Sequence, residues 1–110
     1  MEIEFTTKKL RKACSSTSEM KRRWGDEMAK KLSRRLADLE AAATLEDMRH
    51  LPGRCHELSG NLIGQLAIDL KHPYRLVFRP NHDTKPIKAD GGLDWSRVTK
   101  ILVSDVIDYH

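Results

Sequence analysis

Residues 20 to 43, MKRRWGDEMAKKLSRRLADLEAAA, contain apolar side chains at intervals of three or four positions. That spacing places them along one face of an α-helix of about seven turns. The members of the stripe are Met20, Trp24, Met28, Leu32, Leu36, Leu39 and Ala43. Gly25 interrupts the pattern, and because a glycine inside a helix costs about 1 kcal/mol relative to alanine, we expect a bend or a close contact there. The stripe predicts a helix that packs on a core rather than a ligand site.

The segment before this helix predicts a short strand and a short helix. Glu2 to Phe5 alternate charged and apolar residues, as a half-exposed strand does. Thr6 or Thr7 is expected to cap a helix over Lys8 to Ala13, and Ser18 to cap the long helix that follows.

The second half of the chain predicts strands. Apolar alternation indicates strands over residues 54 to 58, 65 to 70 and 74 to 79. Residues 80 to 96 lack periodicity and contain prolines and glycines, which indicates a long excursion from the sheet, functional or merely mobile. Arg97 to Ile107 predicts a last strand that is apolar on both faces in its middle, as a central strand is.

Helices followed by strands predict an α+β fold, with two N-terminal helices packed on one face of a small twisted antiparallel sheet. The chain has 110 residues, of which 39% are hydrophobic, so we expect a single domain over residues 1 to 110. The other sheet face has few apolar residues to bury, and strand alternation assigns Arg75 and Arg79 to it. Such an open, basic face suits an extended polyanion.

Composition indicates where the protein is located in the cell and which kinds of site it is expected to carry. No window approaches the ~20 consecutive apolar residues of a membrane span, and the acidic start lacks the features of a signal peptide, so we expect a cytoplasmic protein. Cys14 and Cys55 have no zinc-type spacing, which favours reduced, packed thiols over a catalytic cysteine. The net charge of +4 is mild, although residues 21 to 35 hold seven basic side chains against two acidic ones. That cluster either attracts phosphates or forms a solvated helix face, and charge alone favours the second reading.

A set of polar side chains on the predicted strands matches what metal-free RNA cleavage needs. His56 precedes a turn, Arg75 lies in mid-strand, and Asp108, Tyr109 and His110 follow the last strand. If these strands are neighbours, their side chains converge on one edge of the sheet. The reaction must deprotonate the ribose 2′-hydroxyl, hold the phosphorane charge and protonate the leaving 5′-oxygen. Histidine suits the proton transfers, arginine suits the phosphate, and tyrosine can stack on a base. Which histidine is base and which is acid stays open.

Each of these residues also has a structural alternative. A histidine in a strand is usually a hydrogen-bonded structural residue, and that applies to His56. Arg75 can pair with Asp69 across a hairpin, a contact worth only ~0.2–1 kcal/mol when it is exposed. The sequence contains no paired histidines at helical spacing and no tight Cys/His cluster, so neither a metal nor another cofactor is expected.

Four segments together resemble a known family. They are WGDEMAKKLSRRLADLEAA at 24 to 42, LPGRCHELSG at 51 to 60, GQLAIDLKHPYRLVF at 64 to 78 and ILVSDVIDYH at 101 to 110. In their order and spacing they are similar to the HigB-type killer proteins of bacterial toxin–antitoxin systems, within the RelE/ParE superfamily. The resemblance spans almost the whole chain.

The resemblance implies a microbial-RNase-like fold of the RelE/ParE type and a toxin that cleaves mRNA on the ribosome. His56 would match the histidine of the family's Leu-His element. Arg75 would match the arginine of its Tyr-Arg-Leu/Ile-Phe strand. Asp108, Tyr109 and His110 would match its terminal Asp-Tyr-His and complete the catalytic set.

The resemblance also implies the partners. The expected antitoxin carries a helix-turn-helix domain of the HigA type, and the other partners are the ribosome and its mRNA. Operator DNA would be contacted only through the antitoxin, and no membrane partner is expected. Arg54 and Arg79 are the expected RNA-binding residues, and the oligomeric state stays open.

Two departures from the family pattern keep a second reading open. Ser59 stands where the family often has a basic residue, and the usually basic turn that follows reads Asn61-Leu62-Ile63. Fewer charges weaken phosphate binding, because each neutralised phosphate adds affinity through counterion release. The alternative is a non-enzymatic relative that binds an antitoxin or DNA gyrase, with cleavage weakened or lost. A DNA-binding protein that uses the basic helix is the weakest reading, because that helix needs its apolar stripe for the core.

Overall fold

The computed structural model describes residues 1–108, and these form one five-stranded sheet with helices packed against it. In chain order the elements are β1 (Glu2–Phe5), α1 (Lys8–Ala13), α2 (Thr17–Trp24), α3 (Asp26–Ala41), β2 (His56–Glu57), β3 (Leu66–Asp69), β4 (Tyr74–Pro80) and β5 (Lys100–Asp108). Short 3₁₀ helices cover Leu45–His50, Gly60–Leu62 and Trp95–Arg97. In this described part of the chain, no helix has both the length and the apolar character to cross a membrane. The predicted α+β fold is confirmed.

The apolar stripe of the sequence is divided between two helices. Gly25 has a φ of +88°, which ends α2 at Trp24 and lets α3 begin at Asp26. A Cβ at this glycine would meet nothing within 4 Å, so the backbone conformation rather than a close contact requires glycine here. The single long helix that the periodicity predicts is therefore two helices, and α1 is a third.

The caps agree with the sequence at one helix and differ at the next. Thr7 caps α1, as predicted, by accepting a hydrogen bond from the backbone N–H of Leu10 at 3.0 Å. At α2 the cap is Ser16, whose hydroxyl accepts from the N–H of Glu19 at 3.2 Å, and not the predicted Ser18. The helix begins two residues earlier than predicted because four consecutive hydroxyl residues, at positions 15 to 18, offer the chain several possible caps.

The strand order is β1-β5-β4-β3-β2, so β5 has neighbours on both sides, as its apolar middle predicted. Strands β2 to β5 pair antiparallel with one another along the sheet. Strand β1 runs parallel to β5, with Ile3 opposite Ile101. All the helices lie between these two strands in the chain, and a connection of that length permits a parallel pair. The sheet is therefore mixed rather than purely antiparallel.

The core lies between the helices and one face of the sheet. Leu32 and Leu39 of α3 are fully buried, together with Leu76 and Phe78 of β4. Arg35, also on α3, is 7% exposed and bonds Asp38 at 3.0 Å, so this member of the basic cluster is not part of a solvated face.

The long segment between β4 and β5 packs onto the body of the molecule. Leu93 and Trp95 are buried. The indole N–H of Trp95 donates to Oε2 of Glu57 at 3.1 Å, and the guanidinium carbon of Arg49 lies 3.9 Å from the centre of its ring. This excursion from the sheet therefore covers the β2 edge and the 3₁₀ helix Leu45–His50.

Candidate functional site

The sheet face turned away from the helices carries the predicted site. Leu76 and Phe78 are fully buried on the core side, and strand alternation assigns Arg75 and Val77 to the other face, which we call the open face although Val77 itself is only 3% exposed. Val77 lies opposite Ala67 of β3, and Ala67 lies opposite His56 of β2. Residues directly opposite in antiparallel strands point to the same face. The register therefore puts His56 and Arg75 on one face, as the predicted site requires.

The two side chains are not on adjacent strands. Strand β3 separates them. His56 lies opposite Ala67 and Arg75 lies opposite Asp69, so the two side chains are also offset by two residues along the strand direction. Strand spacing and rise per residue put their Cα atoms about 12 Å apart. Side chains of this length can reach towards a phosphodiester group placed between them.

A carboxylate connects two arginines at this end of the open face. Asp69 of β3 accepts hydrogen bonds from Nε and Nη2 of Arg54 at 2.9 and 3.3 Å. Its Oδ1 lies 3.5 Å from Nε of Arg75, which is the cross-hairpin pair that the sequence offered as a structural alternative. The hydrogen bonds to Asp69 raise the pKa of Arg54 above its ordinary value. Asp69 thus holds two guanidinium groups side by side, and guanidinium groups are donors that bind phosphate oxygens.

A bend before β2 sets the position and the tautomer of His56. Gly53 has a φ of +107° and Arg54 a φ of +52°, and the carbonyl of Gly53 accepts the N–H of Asp69 at 2.7 Å. The bend brings the carbonyl oxygen of Arg54 within 2.7 Å of Nδ1 of His56. A carbonyl only accepts, so Nδ1–H is the donor, and Nε2 of a neutral imidazole then carries the lone pair. His56 is thus arranged to accept a proton at Nε2.

The end of the chain is only partly described. Asp108 pairs with Tyr74, one position beyond the pair between Ile107 and Arg75. Strand alternation therefore assigns Asp108 to the face of Tyr74, which packs against the core, and not to the face of Arg75. Tyr109 and His110 lie outside the described residues, so their part in the site stays a prediction.

His72, to which the sequence pattern gives no catalytic role, belongs to this region. His72 lines a small hollow of about 180 Å³ together with Asp69, Arg54 and Arg75. His72 stands in the turn between β3 and β4, which closes beside Asp69 because Asp69 pairs with Arg75 across the hairpin. The Arg54 contact with Asp69 has no signal in the sequence, because it depends on the bend at Gly53.

The thiols are unsuited to nucleophilic attack. Burial raises the pKa of Cys14 to about 11 and that of Cys55 to about 12. Both cysteines are free, as the sequence predicts, and both are protonated at neutral pH. Over residues 1–108, no three side chains among His, Cys, Asp and Glu gather as metal ligands do.

Comparisons with known proteins agree with this architecture. No protein-family model matches the sequence, and neither does any curated protein sequence. The chain is similar to a solved YoeB/ParE toxin from Agrobacterium tumefaciens, with a TM-score of 0.62 and 13% identity over 100% of both chains. It is also similar to the YoeB–YefM complex and to the YoeB dimer from Staphylococcus aureus. Their TM-scores are 0.56 and 0.55 and their identities 16% and 18%, over 100% of this chain and 97% of theirs. The protein therefore has the fold of the YoeB/ParE-type toxins.

Proposed function

We propose that this protein is the toxin of a bacterial toxin–antitoxin system and an endoribonuclease that cleaves mRNA on the ribosome. The observation that carries the proposal is the arrangement of the open sheet face. An imidazole with its lone pair at Nε2 shares that face with two guanidinium groups that contact the carboxylate of Asp69. The similarity in fold to a YoeB/ParE toxin supports the proposal, and the Asp-Tyr-His ending supports a HigB-type subclass.

The proposed reaction needs no metal. Nε2 of His56 accepts the proton of the ribose 2′-hydroxyl, and the 2′-oxygen attacks the adjacent phosphorus. Arg75, with Arg54 beside it, holds the negative charge that develops on the phosphorane. The bond from phosphorus to the 5′-oxygen then breaks, and a second acid, which we assign to His110, protonates the leaving oxygen. The products are a 2′,3′-cyclic phosphate and a 5′-hydroxyl.

The proposed partners follow from the same assignment. The solved YoeB–YefM toxin–antitoxin complexes support an antitoxin as the partner of this chain. We assign that antitoxin to the HigA-like class with a helix-turn-helix domain, which would carry the complex to operator DNA. The ribosome and its mRNA are the proposed targets, and cleavage takes place in the cytoplasm.

The experiment is inducible expression in a bacterial host, with 5′ ends of cellular mRNA mapped after induction. We expect growth arrest and discrete cuts inside translated codons. Arg75→Ala and His56→Ala should each lower the frequency of cuts at least about 100-fold. Arg34→Ala is the matched control, because Arg34 lies on the outer face of α3 with a side chain that is 74% exposed. Equal cutting by Arg75→Ala and Arg34→Ala would refute the site.

A second candidate function is binding without cleavage. It is favoured by the apolar turn after β2, where Ile63 is 79% exposed, and by the partial neutralisation of Arg54 and Arg75 by Asp69. A toxin of this kind would arrest growth through a protein target such as DNA gyrase. Growth arrest with an intact mRNA population would favour this function over the nuclease.

A further inference from the structure

A shallow depression of about 250 Å³ lies on the open sheet face between β4 and β5, and the proposed mechanism makes no use of it. It adjoins the candidate site, because Asp105 lies opposite Val77 and Ile107 lies opposite Arg75. Its walls combine apolar side chains with side chains that can form hydrogen bonds. They are Leu62, Val77, Ile107, Gln65, Arg79 and Asp105.

A β-bulge fixes the polar groups of this depression. The register of β4 and β5 shifts between Val77 and Phe78, which makes Ser104 the extra residue on β5. The hydroxyl of Ser104 donates to Oε1 of Gln65 at 2.9 Å and also lies 3.2 Å from the carbonyl of Val77. The oxygen of the Gln65 amide is therefore occupied, and its NH₂ group is the part that can donate to a ligand.

The acidic group of the depression can accept from a ligand. Oδ1 of Asp105 accepts the backbone N–H of Val106 at 2.8 Å, and no hydrogen bond from residues 1–108 reaches Oδ2. Arg79 is exposed and, within the described residues, takes part in no ion pair. The depression thus offers a carboxylate acceptor, an amide donor and a guanidinium donor between apolar walls.

This set of groups matches guanine better than the other bases. Guanine presents N1–H and the 2-amino group as neighbouring donors, which a carboxylate accepts together, and it presents O6 and N7 as acceptors, which arginine or an amide NH₂ can bind. Adenine presents an acceptor at N1, which would face the carboxylate of Asp105. The faces of any base can pack on the apolar walls, so hydrogen bonding at Asp105 provides the discrimination.

We propose that this depression binds a guanine base of single-stranded RNA, so that the protein selects sites with guanine at one fixed position from the cut. The Cα atom of Asp105 is about 8 Å from that of Arg75, by strand spacing and rise per residue, which is within reach of a neighbouring nucleotide. The effect on cleavage rests on the proposed nuclease function, whereas guanine binding can be measured independently of it.

The binding experiment is an NMR titration of the whole protein with 5′-GMP, 5′-AMP and 5′-IMP, the last of which lacks the 2-amino group. GMP should bind roughly tenfold more tightly than AMP, with IMP between them, and should shift the backbone amide signals of Gln65, Arg79 and Asp105. Asp105→Asn should weaken GMP roughly tenfold and leave AMP unchanged. Asp83→Asn is the control, because Asp83 is an exposed aspartate outside the depression. Equal affinity for GMP and AMP, or shifts confined to other residues, would overturn the proposal.

The cleavage readout separates this proposal from the nuclease proposal. In the mapped cuts of the wild type, guanine should be enriched at one fixed position. Asp105→Asn should lose this enrichment, whereas Asp83→Asn should retain it. Cuts without any guanine preference would refute the subsite and leave the nuclease intact. Selective GMP binding by a protein that makes no cuts would refute the nuclease and leave the subsite intact.

Discussion

Gly53→Ala should be among the most damaging substitutions of a single glycine in this protein. Gly53 has a φ of +107°, a conformation that residues with a Cβ rarely adopt. A Cβ built on it would lie 2.7 Å from Cγ2 of Ile68 and 3.1 Å from Cδ and Nε of the buried Arg35. Alanine therefore meets both a backbone penalty and a collision with packed side chains.

The magnitude follows from these two terms. The positive φ costs a residue with a Cβ about 1–2 kcal/mol, and overpacking of a filled site costs typically about 1–3 kcal/mol. Alanine also reduces the conformational entropy of the unfolded chain, which stabilises the folded state by about 0.4–1 kcal/mol. The net loss is about 1–5 kcal/mol, which is a large share of the roughly 5–15 kcal/mol that stabilises a domain.

The assay is urea unfolding of purified protein, followed by circular dichroism. Gly60→Ala is the matched control, because Gly60 also has a positive φ, of +65°, but a Cβ there meets nothing within 4 Å. The control should lose only about 1 kcal/mol. If Gly53→Ala lost no more than Gly60→Ala, the bend that positions Arg54 and His56 would not be packed as described.

Three further predictions concern titrating groups. The pKa values are about 11 for Cys14 and about 12 for Cys55. At pH 8, Cys14 should therefore react with a disulfide reagent roughly 100-fold more slowly in the folded than in the urea-unfolded protein, and Cys55 roughly 1000-fold more slowly. Rapid labelling of the folded state would contradict the burial of these thiols. Since both values exceed the ordinary 9.0, the two thiols should make the free energy of unfolding fall as pH rises from 9 towards 12, which urea unfolding over that pH range measures. Hydrogen bonds from Ser96 and Arg97 hold the pKa of Asp94 below its ordinary 3.8. Asp94→Asn should therefore be less stable than the wild type above about pH 4, and the difference in the free energy of unfolding should close as pH falls through the lowered pKa. Urea unfolding at pH 7 and pH 3 measures this difference. The same difference at both pH values would disprove the contribution of the charge.

Local patterns in the sequence were enough to predict the strand that positions Arg75 and the orientation of its side chains. Alternation over residues 74 to 79 predicts that Leu76 and Phe78 face the core and Arg75 the open face, and the structure has this arrangement. The pattern suffices because a strand with one buried face fixes its own orientation. The helix cap at Thr7 is also a local signal.

Other features depend on contacts between distant parts of the chain, and no local pattern reports those. Gly25 signals an irregularity, but only the packing of α2 and α3 decides between a bend and a break. Trp95 stands in a segment without periodicity and is buried through Glu57 and Arg49, which are distant in sequence. The pair of Arg75 with Asp69 is foreseeable from the hairpin pattern, whereas the contact of Arg54 with the same carboxylate requires the fold, since it needs the bend at Gly53.

The most direct test of the proposed chemistry uses purified protein with ribosomes programmed by a defined mRNA. The wild type should cut at a reproducible position and leave a 2′,3′-cyclic phosphate, and a single 2′-deoxy nucleotide on the 5′ side of the cut should abolish the reaction. Arg75→Ala should slow the cut at least about 100-fold, whereas Arg34→Ala should not. Cleavage of the 2′-deoxy substrate, or equal rates for the two variants, would contradict the assignment of the open sheet face as an RNA-cleaving site.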